Sequence, residues 1–147
     1  MVVEYKKVQT INEFIDGIRI RVEVFILEQK CPAGYDPDEL DKVSDRYIAI
    51  ADGEIIAYAR MREDPNNALK IENMVVKKAY RRKGIGRGLT QFLLKEARKR
   101  NPTKIWMEAQ SHTEKFYEQE GFKRVSDDYD LYNLGIPHVK MEYKTEP

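Results

Sequence analysis

The sequence is poor in the residues that staple or anchor a chain. A single cysteine, Cys31, in 147 residues excludes an internal disulfide framework and makes the cytoplasm the expected compartment. The only histidines, His112 and His138, stand without partners at ligand spacing, so no metal is expected. No apolar run approaches the roughly 18 residues of a membrane span. The start, Met1-Val2-Val3-Glu4-Tyr5, lacks the basic, apolar and small-residue regions of a leader peptide. Its 8 glycines and 6 prolines build no linker or low-complexity tract, and no internal repeat is visible, so one domain over residues 1–147 is expected. The 26 basic and 25 acidic side chains leave a net charge of only +1, which gives no electrostatic ground for a nucleic-acid partner.

The charges that are present are unevenly placed. Between residues 28 and 45 stand Glu28, Asp36, Asp38, Glu39, Asp41 and Asp45 against Lys30 and Lys42, whereas residues 77–87 carry 6 basic side chains and no acid. That basic stretch belongs to Ile71-Glu72-Asn73-Met74-Val75-Val76-Lys77-Lys78-Ala79-Tyr80-Arg81-Arg82-Lys83-Gly84-Ile85-Gly86-Arg87, an apolar run that turns through a glycine-spaced loop into an amphipathic segment over 84–100. Ile85, Leu89, Phe92, Leu93 and Ala97 recur there at helical spacing. A helix start presents free N–H groups and the positive end of the macrodipole, worth roughly 0.3–1 kcal/mol for each anionic charge placed there. Gly84 and Gly86 lack a Cβ, so a phosphate can approach the backbone while Arg81, Arg82, Lys83 and Arg87 supply charge. A solvated basic turn is the plain alternative. The spacing is neither G-x-G-x-x-G nor a loop ending in Gly-Lys-Ser/Thr.

Around this motif the pattern alternates strands and helices. Residues 2–8 read as a strand, and Thr10-Ile11-Asn12-Glu13 is a capping box before the helical pattern Ile11, Phe14, Ile15, Ile18, Val22 and Phe25, ending near Gln29. Cys31-Pro32-Ala33-Gly34-Tyr35-Asp36-Pro37 is a loop, with a helical turn over 38–42. Segments 46–51 and 54–61 flank Asp52-Gly53, a two-residue hairpin signal, and Asp64-Pro65-Asn66-Asn67 turns into a strand over 69–76. After the 84–100 helix, Lys104-Ile105-Trp106-Met107-Glu108-Ala109 reads as a buried strand. Ser111-His112-Thr113-Glu114 then has the form of a second capping box, opening a short helix that ends at Gly121, and strands follow over 122–125 and around 138–143. The order argues for an α/β/α sandwich whose mixed sheet is largely antiparallel.

Arg81-Arg82-Lys83-Gly84-Ile85-Gly86, between a strand and a helix, resembles the acetyl-CoA signature of the GNAT N-acetyltransferases. Phe116-Tyr117-Glu118-Gln119-Glu120-Gly121-Phe122 is similar to the family's helix that carries Phe-Tyr and closes on Gly-Phe. Arg21-x-x-Val24-Phe25-x-x-Glu28-Gln29-x-Cys31-Pro32, Ala109-Gln110 and Gly135-Ile136-Pro137-His138-x-x-Met141 look like the ElaA-like branch. That branch follows its acidic stretch with a histidine, where this chain has Asp45-Arg46.

The resemblance implies a GNAT-type fold and acetyl transfer from acetyl-CoA, a cosubstrate, to a primary amine by direct attack in a ternary complex. It implies Tyr117 as the acid that protonates the departing sulfur; an amphipathic tyrosine capping the core is the alternative. Helical rotation of about 100° per residue is expected to turn Phe116 inward and Tyr117 to the groove. Glu72, on the strand face of Met74, is the candidate base, or a strand-end carboxylate paired with a lysine. By the family alignment the Met74 amide polarises the acetyl carbonyl, Val75 and Val76 bond the pantetheine arm, and Arg81, Arg82, Lys83, Gly84, Ile85, Gly86 and Arg87 hold the pyrophosphate. Glu28, Gln29, Asp41 and His138 are expected to border the acceptor site, where acids attract a cationic amine, free or on a peptide. Cys31 has no local histidine and reads as a buried thiol. The oligomeric state is not legible, although dimers are common in the resembled family. Two other readings stay open: an acyl-CoA-binding sensor without catalysis, and a module using the basic loop on nucleic acid, which would want basic and aromatic residues spread over a face.

Overall fold

The computed structural model of the protein describes residues 1–32 and 35–144, so the loop expected at Ala33 and Gly34 lies outside the described residues. Strands β1 (Val3–Lys7), β2 (Asp45–Ala51), β3 (Glu54–Asp64), β4 (Ala68–Val76), β5 (Lys104–Gln110), β6 (Phe122–Arg124), β7 (Tyr129–Asp130) and β8 (Pro137–Tyr143) form one sheet. Its order is β1-β2-β3-β4-β5-β8-β6, with β7 also paired to β8. Among the described residues only β4 and β5 run parallel. The expected mixed, largely antiparallel sheet is present with one strand more than expected. The pair Tyr129–Asp130 is too short to carry an alternating pattern and is defined by its bonds to β8.

Local signals explain most element ends. Thr10 and Glu13 close the expected capping box, with Glu13 N–H donating to Thr10 Oγ1 at 3.1 Å and Thr10 N–H to Glu13 Oε1 at 3.2 Å. It opens α1 (Ile11–Arg21), which continues through a wider-turned π segment, Val22–Glu28, where Gln29 N–H donates five residues back to Val24 O. Asp52 and Gly53 both take φ > 0 in the β2–β3 hairpin, as a type I′ turn requires. Gly84 caps α2 (Ile85–Arg98) at φ 80°, a conformation that favours glycine. Among the described residues no helix is long and apolar enough to cross a membrane.

Two expectations are corrected here. The buried face of α1 is Gly17, Ile20 and Arg21, followed by Val24 and Phe25, while Ile11 and Ile15 are 69% and 42% exposed. The rotation has a cause in the sheet beneath, because Tyr58 fills the space where a Cβ on residue 17 would stand and Arg21 is drawn under the acidic loop. The Ser111–Glu114 capping box does not form. Among the described residues the buried Ser111 Oγ has no hydrogen-bond partner and Glu114 instead pairs with Arg124, so α3 (Glu114–Gln119) begins after a 3₁₀ turn, Ser111–Thr113.

Each face of the sheet carries its own core. Leu69, Ile71, Met107, Ala109 and Val139 pack with α2 and α3 on one face. Ile48, Tyr58 and Val75 pack with Ile20, Val24 and Phe25 on the other. Between them the sheet opens. β4 and β5 are paired from Ala68 and Lys104 only as far as Ile71 and Met107. Just past that point β4 bulges, because Glu72 faces Arg60 and Val75 faces Tyr58, leaving Asn73 and Met74 opposite Ala59 alone. Asn73 absorbs the bulge at φ 55°, a conformation asparagine tolerates, and its Nδ2 donates to Asp36 Oδ1 at 2.7 Å.

Candidate active site

The divergence of β4 and β5 makes a cleft of about 950 Å³ that runs through the sheet. Among the described residues, the edge of β4 that faces β5 has no strand partner past Ile71. Its N–H and C=O groups there are available to an extended ligand. Met74, Val75 and Val76 all line this segment.

At one end of the cleft is the start of α2. Gly84 makes no side-chain cap and Gly88 N–H makes the first helical bond back to Gly84 O at 3.0 Å, which leaves the amides before it free to face an anion. A Cβ on Gly86 would stand 3.4 Å from Phe116 Cζ and 3.6 Å from Val76 Cγ2, so glycine keeps open the gap between those side chains. Arg81 is fixed. Its Nε donates to Val76 O at 2.9 Å and its fork binds Glu28 at 2.6 and 2.8 Å, tying the loop to the end of the π segment. Arg82 and Arg87 are exposed at the rim, Arg87 3.4 Å from Glu120. Lys83 is exposed and lies outside the lining.

Tyr117 enters from the α3 side and is only 8% exposed. Its ring is gripped edge-on by Phe116 at 4.9 Å and Phe122 at 5.8 Å, and its hydroxyl makes no hydrogen bond among the described residues. Burial pushes its phenol well above the usual tyrosine range, so it holds its proton. The expected division between a buried Phe116 and a groove-facing Tyr117 is not found. Both line the cleft, and Phe116, which lies against Gly86, is the less buried of the two.

The α1 side of the cleft is floored by charge. Residues paired across strands share a face, so Lys70, Glu72, Arg60 and Arg62 stand together with Glu108, Gln110 and His138. Glu72 accepts from Arg62 Nε at 2.7 Å and Arg60 Nε at 3.2 Å, and lies 3.1 Å from Lys70 Nζ. Burial pushes its carboxyl up, but the Arg62 hydrogen bond and the charges of Lys70 and Arg60 outweigh it and hold Glu72 below the usual carboxylate range. A carboxylate so engaged is a weak proton acceptor. Glu108 is likewise taken, by Lys70 and by Tyr129 Oη at 2.7 Å. Arg60 continues the network to Asp38 at 2.6 Å and Asp41 at 3.1 Å, and Arg21 joins Asp41 at 2.7 Å to Asp36.

Asp41, expected at the acceptor site, is thus buried behind Arg60 and does not line the cleft, whereas Asp38 does. The other expected residues are brought to one cavity: Glu28, Gln29, Glu72, Tyr117 and His138 with the β4 segment and the loop from Arg81 to Arg87, Lys83 apart. Gln29 and Gln110 join across the cleft at 2.9 Å. Sequence reasoning missed Lys70, Glu108 and Asn73. A lysine and an asparagine interrupting the apolar run of β4, and a glutamate interrupting that of β5, were the available signals.

The same architecture is found in known proteins. A family model described as "Acetyltransferase (GNAT) domain" matches residues 16–145. The chain belongs to the GNAT acetyltransferase family. Protein ElaA of Escherichia coli is 30% identical over 90% of this chain and 88% of its own length. The ElaA crystal structure superposes with a TM-score of 0.87 at 24% identity, covering 97% of this chain and all of that one. An acyl-CoA N-acyltransferase of Pseudomonas aeruginosa follows at 0.84 and 29% identity, with 97% of this chain and 100% of that chain covered. The uncharacterized N-acetyltransferase YjcF of Bacillus subtilis is 32% identical over 86% of this chain and 89% of its own. These relatives put this GNAT chain in the ElaA-like branch.

Proposed function

We propose that this GNAT protein transfers an acetyl group from acetyl-CoA to a primary amine in a ternary complex. The observation that carries the reading is the cleft itself, which joins the free amides of α2 on one side of the sheet to a charged, histidine-bearing pocket on the other. The residues present suit a CoA thioester: an open β4 edge for an amide-bearing arm, a Cβ-free seat at Gly86 and free helix amides for a pyrophosphate. In this assignment Met74, Val75 and Val76 act through their main chain, and Gly84, Ile85, Gly86 and Arg87 hold the phosphates with Arg82. Arg81 shapes the loop through Val76 and Glu28, and Lys83 adds field from outside. The donor supplies the activated acyl carbon.

The amine nitrogen attacks that carbonyl; the C–N bond forms, the C–S bond breaks, and the nitrogen loses a proton while the sulfur gains a hydrogen-bond donor or proton from Tyr117. Glu28 and Gln29 frame the acceptor mouth, Asp38 gives it a carboxylate, and Asp41 acts indirectly by holding Arg60. Glu72 keeps Lys70 and Arg60 in place as the floor of the pocket. The test is free-thiol release from acetyl-CoA over a panel of polyamines, amino acids, aminoglycosides and lysine peptides. Amine-dependent release is expected, and the amine that gives it names the acceptor class. Tight CoA binding with no turnover on any amine would replace this reading with an acyl-CoA sensor.

A further inference from the structure

The geometry points to His138 Nε2 as the base that takes the proton lost by the attacking amine, an inference that rests on the transferase reading. Direct attack needs a proton acceptor on the acceptor side, and the carboxylates that line the cleft are already committed. Glu28 is bound by Arg81, Asp38 by Arg60, Glu72 by Arg60, Arg62 and Lys70, and Glu108 by Lys70 and Tyr129. His138 is different. It lines the cleft yet is only 3% exposed, and its Nδ1 lies 2.8 Å from Ile136 O. A carbonyl oxygen can only accept, so Nδ1 carries the proton and Nε2 of the neutral ring carries the lone pair. No described residue hydrogen-bonds Nε2.

Its position is also the complementary one. His138 pairs with Gln110, which puts it on the sheet face of Glu108 and Lys70, whereas Tyr117 packs with Met107, Ala109 and Val139 on the opposite face. The cleft passes between the faces, so proton acceptor and proton donor flank the reacting carbon from opposite sides. Nε2 gains the amine proton and becomes imidazolium, the C–N bond forms, and the sulfur leaves toward Tyr117. Charged and titratable groups that share the sheet face of the imidazole or line the cleft with it include Glu108 on β5, Lys70 and Glu72 on β4, Arg60 on β3, Tyr129 on β7, Lys140 on β8, Glu28 on the π segment, and Tyr35, Asp38 and Tyr132. His112 also lines the cleft, but it is exposed on the 3₁₀ turn.

The test compares His138→Gln and His112→Gln with the wild type in the thiol-release assay. Expected for His138→Gln is a fall in kcat of about 10²-fold or more. CoA affinity should stay within twofold of wild type, and the acidic limb of the pH–rate profile should disappear; imidazole added to His138→Ala should restore part of the rate. His112→Gln should retain the acidic limb that His138→Gln loses. Wild-type turnover with its acidic limb intact in a folded His138→Gln would overturn the assignment while leaving the transferase standing. A wild type inactive on every amine overturns the transferase reading, and this inference with it. Nitrogen-15 spectra of the wild-type imidazole decide independently of variant folding: a protonated Nδ1 and bare Nε2 are expected, and the opposite tautomer refutes the base.

Discussion

Replacing Tyr117 with phenylalanine removes one oxygen and nothing else. The ring is held by its edge contacts with Phe116 and Phe122, and both survive the change. Because the hydroxyl bonds to no described residue, its loss breaks no hydrogen bond and leaves no partner stranded. Stability should therefore stay within about 0.5 kcal/mol of wild type. The effect on rate follows from the environment of the phenol. Burial raises it above the ordinary tyrosine value of 10.0, whereas a departing thiolate belongs to an acid of pKa about 8.5. Complete transfer of the proton in the transition state is then uphill, so on the proposed mechanism Tyr117 acts mainly as a hydrogen-bond donor to developing negative charge. A hydrogen bond to a charged group contributes about 1.5–3 kcal/mol, which at about 1.36 kcal/mol per decade is a 10- to 150-fold fall in kcat. The assay is amine-dependent thiol release, with CoA affinity measured calorimetrically and expected to be unchanged. Undiminished kcat in the folded variant removes Tyr117 from the mechanism. A loss beyond 10⁴-fold refutes the hydrogen-bond argument and requires full proton transfer.

Gly86→Glu places a side chain in the gap between Phe116 and Val76 and a negative charge at the start of α2. At least a tenfold loss of CoA affinity is expected in calorimetry with the circular dichroism spectrum unchanged, and wild-type affinity would remove the loop from the cofactor seat. Gly17→Ala should gain up to about 1 kcal/mol in helix propensity but lose about 1–3 kcal/mol to overlap with the fully buried Tyr58 ring. The urea midpoint should fall, and a rise would show that α1 does not rest on Tyr58 as described. The held-down carboxylates of Glu72 and Glu108 predict acid sensitivity with a definite sign. Groups depressed below the ordinary glutamate value of 4.5 stabilise the fold fully above that pH, and the contribution is lost as pH falls through their lower folded values. Glu72→Gln should flatten the fall in melting temperature below pH 4.5, and an unchanged slope would count against the ion pairs.

What could be read in the sequence was local, or was carried by the family resemblance. Thr10 with Glu13, Asp52-Gly53 and Gly84 each satisfy a backbone need within a few residues, and each appears where expected. The same box at Ser111 and Glu114 failed because Arg124, ten residues on, offers Glu114 a bidentate ion pair. The buried face of α1 departs from the periodic pattern for a related reason. Ile11 and Ile15 satisfy helical periodicity, but the turn of the helix is decided by Tyr58 and by buried acids that periodicity does not see. Lys70 meets Glu108 across 38 residues of chain, and Arg60 meets Asp38 across 22. No local pattern encodes such pairs.

Those long-range pairs also explain how the breach in the sheet is held to one shape. Asn73, at the bulge that starts the divergence of β4 from β5, is bonded to Asp36. Asp36 is bound to Arg21 of α1, and Arg21 to Asp41. Asp41 reaches Arg60, and Arg60 returns to Glu72 next to the bulge. The loop after α1 is thereby tied to the β4 residues that open the cleft. Buried ion pairs add little net stability against well-packed apolar side chains, but breaking one leaves an uncompensated charge that costs about 3–5 kcal/mol. Such a circuit penalises alternative registers of the bulge more than it rewards the native one. On the proposed function, the acceptor wall is therefore set by charge pairing, while the cofactor side rests on Phe116, Val76 and the α2 backbone. Asp38, which binds Arg60 and not the bulge, is the place to vary that wall alone: Asp38→Asn should shift acceptor preference in the thiol-release panel while calorimetric CoA affinity stays at the wild-type value.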